Sequence, residues 1–130
     1  MQRFHAVVWL DHREARVFFF DRHTVDEVDI AAHGHTAHLH HHAGSISGKR
    51  AGADHAFFDQ IVEALKPAQE WLVTGPGTAK LEFVRHVHKR AHAFEARIVG
   101  VETADHPTDR QIIAHARAYF QKTDAMRPLE

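Results

Sequence analysis

The chain has 130 residues, 44% of them hydrophobic and 25% charged, with 16 basic against 17 acidic side chains and a formal net charge of −1. That size suits a single domain over residues 1–130 with its own core, and the balance gives no global field toward nucleic acid or anionic lipid. There is no cysteine, which excludes disulfides and thiolate metal centres. The longest apolar runs are strand-length, so no membrane span is read and a cytoplasmic location is expected.

Residues 6–10 (AVVWL) form a continuous apolar run, the mark of a strand buried on both faces. The polar link Asp11-His12-Arg13-Glu14 leads to a second β-rich run, residues 15–20, and so short a link predicts an antiparallel hairpin. Residues 24–30 carry Asp26, Glu27 and Asp29 and are expected at a sheet edge, where a homodimer contact is one option. Residues 31–53 (AAHGHTAHLHHHAGSISGKRAGA) hold six of the fifteen histidines, four of the seven glycines and no aromatic residue. Loops of this length in compact domains are usually functional or disordered.

Asp54 is expected to cap a helix from residue 55 to about 66, stopped by Pro67, with Phe57, Phe58, Ile61, Val62 and Leu65 on one face. Residues 71–73 (WLV) read as a short buried strand closed by Thr74-Gly75-Pro76-Gly77. Thr78 is expected to cap a second helix reaching about residue 92, with Leu81, Val84, Val87 and Ala91 inward. Residues 97–101 form the next apolar strand. Thr108 and Gln111 have the spacing of a capping box. The helix they open has Ile112, Ile113, Ala116, Tyr119 and Phe120 inward, with a frayed tail after Lys122.

Three strands followed by helix-strand-helix-strand-helix predict an α/β fold. Right-handed crossovers give a mixed five-stranded sheet of order 3-2-1-4-5 with strand 2 antiparallel and three helices, a ribonuclease H-like motif. The carboxyl ends of strands 1, 3, 4 and 5 then share one rim. That rim gathers Asp11-His12-Arg13, the long loop, the turn around Gly75, and Thr103-Ala104-Asp105-His106. Ligands of open α/β sheets bind at such a rim.

Four constellations carry chemistry. His38, His40, His41, His42, Lys49 and Arg50 in the loop, with Arg85, Lys89 and Arg90 on the second helix, suit RNA. Basic groups gain by releasing condensed counterions, and imidazoles stack on unpaired bases. For the helix residues, and for His86 among them, the ordinary reading is a solvated charged face. His38, His40 and His42 share one face of an extended chain and offer three imidazoles to Zn or Ni; the ordinary reading is a pH-sensitive polar loop. Gly75, Gly77 and Thr78 open a helix N-terminus where an anion can sit, but they lack phosphate-loop spacing and read equally as a tight turn. Asp11, Asp105 and His106 offer too few carboxylates for two-metal hydrolysis, so a non-enzymatic role is expected.

Taken together, VVWLDHREARVFFF, HHHAGSISGKRAGADHAFFDQIVEAL, EWLVTGPGTAK and RIVGVETADHPTDRQIIAHARAYF resemble the middle domain of the eukaryotic and archaeal class-1 peptide-chain release factor. They resemble still more closely a family of small bacterial translational machinery proteins. The resemblance covers about residues 4–121. It implies the ribonuclease H-like fold and a ribosome or structured RNA as partner. In the release factor the loop between the third strand and the first helix carries a Gly-Gly-Gln tripeptide that acts on the peptidyl-tRNA ester. Here that loop reads Gly44-Ser45 and holds no glutamine, so peptidyl-tRNA hydrolysis is not carried over. The rival reading is a metal-binding protein, a sensor or a metal-dependent phosphoesterase, that uses the histidine loop.

Overall fold

Successive side chains of a strand point to opposite faces, and β1 (His5–Leu10) fills both. Ala6, Val8 and Leu10 enter one apolar cluster, Val7 and Trp9 the other. All five are buried, which is why no polar residue interrupts the run. The computed structural model describes residues 4–32 and 54–125. β1 is joined by β2 (Glu14–Phe20), β3 (Val25–Ala31), β4 (Glu70–Gly75) and β5 (Ile98–Thr103). The sheet has the order β3-β2-β1-β4-β5. β2 is antiparallel to β1 and β3, while β1–β4 and β4–β5 are parallel. The expected topology is therefore the observed one, and β1, β3, β4 and β5 all run the same way.

Both hairpin turns are built by the same device. Asp11 Oδ1 accepts the backbone N–H of Arg13 at 2.8 Å and of Glu14 at 2.9 Å. Asp21 Oδ1 accepts those of His23 and Thr24, each at 2.8 Å. These are Asx turns, in which a short carboxylate satisfies turn amides. The amide of Thr24, then that of His23, favours the charged form and pulls the Asp21 carboxyl down to about 2.

Helices α1 (His55–Leu65) and α2 (Ala79–Arg90) cover one face, and α3 (Asp109–Ala125) covers the other. Asp54 caps α1 by accepting Phe57 N–H at 3.0 Å. Phe57, Phe58, Ile61, Val62 and Leu65 are all buried, as their spacing predicts. The capping box of α3 is complete. Gln111 N–H donates to Thr108 Oγ1, and Thr108 N–H donates to Gln111 Oε1. No helix among the described residues is long and apolar enough to cross a membrane.

The second helix departs from expectation in three ways. Its fully buried stripe is Ala79, Lys80, Phe83, His86 and Val87; Val84 and Ala91 pack against the core partly buried, as expected, while Leu81 is turned out, 49% exposed. Phe83 decides the rotation: it packs against Phe58 with ring centroids 5.8 Å apart, and a buried aromatic outweighs a leucine on a neighbouring stripe. Thr78 makes no side-chain cap; its hydroxyl donates to Glu82 Oε2 at 3.2 Å instead. The helix stops at Arg90, because Ala91 leaves helical geometry (φ −140°, ψ 45°) and a 3-10 helix, His92–Arg97, follows. Phe94 anchors that turn by stacking on Trp71, with Arg97 and Lys66 over its ring. Arg97 therefore stands outside β5, its guanidinium donating to the carbonyls of Lys66 and Ala68.

β5 carries a register shift, since Trp71 pairs with Ile98 but Leu72 with Gly100. At Gly100 a Cβ would lie 2.4 Å from the Tyr119 hydroxyl, which donates to Val99 O at 3.1 Å. The missing side chain lets α3 dock at this bulge. The α3 helix runs on past Lys122 to Ala125.

Candidate nucleic-acid interface

The carboxyl ends of four strands meet on one rim and are tied together there. Ala32 N–H donates to Arg13 O at 2.8 Å, and Ala104 N–H donates to Gly75 O at 3.1 Å. The Trp9 indole N–H reaches Ala104 O and Asp105 O, both at 3.2 Å. Gly75 has φ +151°, and a Cβ there would come within 2.0 Å of Leu10 O. Only glycine permits that approach of β4 to β1. His38, His40, His41, His42, Lys49 and Arg50 lie outside the described residues, between Ala32 and Asp54.

At the turn into α2, Gly77 is in the left-handed region with φ +59°. Lys80 Nζ donates to Gly77 O. Glu82 Oε2 receives the Thr78 hydroxyl and stands 3.1 Å from His12 Nε2. A carboxylate of the chain itself thus sits in the first turn, where the helix dipole favours negative charge. Gly75, Gly77 and Thr78 are brought together, with that internal anion beside them. Asp11 is engaged in its hairpin turn, and Asp105 Oδ1 lies 3.1 Å from His106 Nδ1.

Along α2, the next turns separate two kinds of polar residue. Arg85, Lys89 and Arg90 are exposed, and none has a side-chain hydrogen bond or ion pair among the described residues. His86, read from sequence with them, turns inward: its side chain is 1% exposed. Its Nε2 lies 2.8 Å from Asp59 Oδ1, and its Nδ1 lies 3.1 Å from His55 Nδ1. A carboxylate only accepts, so His86 Nε2 donates and, in the neutral ring, Nδ1 accepts. His55 then donates from Nδ1 and keeps Nε2 as an acceptor. Sequence reasoning missed this relay, although its signal was present: His86 follows Phe83 by three residues on one stripe.

The opposite edge of the sheet is acidic. β3 exposes Asp26, Glu27 and Asp29, a charge row that opposes edge pairing with a second copy. Hydrogen bonding to Asp29, then burial and the Asp29 charge, push the Glu27 carboxyl up from 4.5 to about 7. Basic α2 and acidic β3 therefore lie on different flanks. Beyond the ends of β4 and β5 a cavity of about 600 Å³ opens against α3, with Thr74, Glu102, Gln111 and His115 on its wall. Glu102 faces His115 there, one carboxylate oxygen against Nε2.

Solved structures carry this fold. The chain aligns with the Pelota protein of Thermoplasma acidophilum at 22% identity and a TM-score of 0.59, over 88% of this chain and 33% of that one. Pelota of Archaeoglobus fulgidus aligns at 14% identity and a TM-score of 0.60, over 88% and 30%. An archaeal translation termination factor, aRF1, aligns at 13% identity and a TM-score of 0.58, over 94% and 38%. The chain thus spans about a third of the length of each. No family model and no curated protein matches the sequence. The release-factor-like fold expected from the sequence is borne out.

Proposed function

We propose that this chain is a translation-associated domain that contacts ribosomal or other structured RNA without hydrolysing peptidyl-tRNA. The observation that carries the reading is the outer face of α2, where Arg85, Lys89 and Arg90 stand exposed with no partner among the described residues. Three unpaired cations on six consecutive residues form an electrostatic footprint for phosphates, since each neutralised phosphate releases condensed counterions. Lys49, Arg50 and the histidines His38, His40, His41 and His42 of the segment between Ala32 and Asp54 supply a second contact in this reading. A translation termination factor is among the solved proteins of this fold, which supports the choice of partner. The loop holds no glutamine, so water activation at a peptidyl ester has no counterpart here.

Cosedimentation of untagged protein with ribosomes, in low and then moderate salt, tests the reading. The wild type is expected to pellet at low salt and to be released as salt rises. A Lys49→Ala, Arg50→Ala double variant is expected to pellet less. Absence from the ribosome pellet at every salt, together with no affinity for ribosomal RNA, would remove the proposal. The rival use of His38, His40 and His42 as Zn or Ni ligands is read on the same material: stoichiometric metal after purification without nickel resin favours it.

A further inference from the structure

We infer a divalent transition-metal site formed by His88, His92 and Glu95, at the corner where α2 passes into the 3-10 helix. The site is independent of the long loop and of the RNA reading. His88 Nδ1 lies 2.9 Å from Glu95 Oε2, and His92 Nδ1 lies 3.0 Å from Glu95 Oε1. All three ligand atoms fall within 4.8 Å of one another. Ligands around a tetrahedral zinc ion at about 2.1 Å stand about 3.4 Å apart, so each His–Glu95 spacing needs only about 0.4–0.5 Å of opening. Two imidazoles and a carboxylate are a donor set that suits Zn, Co or Ni rather than Mg or Ca. Three protein ligands leave a position for water or another oxygen ligand.

Backbone geometry, not helical periodicity, assembles the triad. A straight helix through residue 95 would carry Glu95 seven residues and about 10 Å beyond His88. The break at Ala91 and the 3-10 turn bring one Glu95 oxygen to each ring, Oε2 to His88 and Oε1 to His92. That corner is held firmly: Ala91 N–H donates to Val87 O and Phe94 N–H to Ala91 O, both at 2.9 Å. Phe94, two residues after His92 and next to Glu95, is fixed on Trp71 with ring centroids 6.0 Å apart and planes 14° apart. The terminal carbonyls of α2 add a negative potential that favours a cation. Lys89 and Arg90, which lie between His88 and His92 in sequence, are exposed and carry no ligand atom of the triad.

The test removes the competing imidazoles first. In a full-length chain with His33, His35, His38, His40, His41 and His42 changed to Ser, zinc is titrated against a chromophoric chelator, and Co²⁺ binding is followed by its visible absorption. One equivalent of zinc is expected, with a Co²⁺ spectrum of low coordination number. Glu95→Gln and His92→Ala should each weaken binding by more than about 10-fold, since even outer partners of a metal ligand are worth about 10–100-fold. His5→Gln, at the other described His and carboxylate cluster, should leave it unchanged. His88→Gln serves as a further variant, with circular dichroism confirming the fold of each. Loss of all zinc binding in the loop-substituted chain, binding unmoved by both Glu95→Gln and His88→Gln, or binding lost in His5→Gln would overturn the assignment.

Discussion

Helices α1 and α2 cover the same face of the sheet and bury it differently. The inner face of α1 is apolar throughout, from Phe57 to Leu65. α2 buries Phe83 and Val87 but also Lys80 and His86, and each polar group is satisfied, Lys80 by Gly77 O and His86 by Asp59 and His55. Burying hydrogen-bonded polar groups adds little net stability. One helix is a packing element. Its neighbour gives up part of that role, and its outer face carries the three unpartnered cations.

The largest effect that would break this contrast lies in α1. Phe58 touches Phe57, Phe83 and His86, and Phe58→Ala should cost about 3–5 kcal/mol in chemical denaturation. A cost under about 1 kcal/mol would mean that α1 is not the packing element described. Next comes His86→Ala, which leaves two polar neighbours without their partner. Asp59 is largely exposed and recovers water, so the expected loss is only about 1–2 kcal/mol. A double-mutant cycle with Asp59→Ala should show coupling between the two positions.

A smaller effect belongs to the acidic flank. The Glu27 carboxyl titrates near 7 in the fold and near 4.5 without it, so the native state holds that proton more tightly. Its contribution is fully present below about 4.5 and is lost as pH rises through about 7. Wild type should therefore lose stability relative to Glu27→Gln across that window. Solvent screening at this exposed position keeps the difference under about 1 kcal/mol. Equal pH profiles for the two proteins would contradict the Glu27–Asp29 contact.

The contrast between α1 and α2 also marks what was legible in the sequence. Strand order, the Asp54 cap, the Thr108–Gln111 box and the inner faces of α1 and α3 follow from period and capping chemistry, because apolar side chains occupy one stripe with nothing competing. α2 offers two overlapping stripes, Leu81-Val84-Val87 and Ala79-Phe83-His86-Val87. The second wins because Phe83 meets Phe58, and because Asp59 and His55 make burial of His86 tolerable. Those partners lie 27 and 31 residues away in the chain, beyond any local pattern. The break at Ala91 was hidden for a related reason: alanine favours helix, and it is the docking of Phe94 on Trp71 that turns the chain. The loop residues proposed for RNA lie outside the described part of the chain, so the exposed cations of α2 carry that reading.

The central claim is that the outer face of α2 meets phosphate, and the salt dependence of RNA affinity tests it most directly. Affinity for a ribosomal RNA fragment should be measured across a salt series for wild type and for Arg85→Ala, Lys89→Ala, Arg90→Ala combined. Stability should change little, by about 0.5 kcal/mol or less per site. The slope of log affinity against log salt should fall by about 2–3, close to one unit per lost phosphate contact. A triple variant with an unchanged slope, or a wild type with no slope at all, would contradict the account.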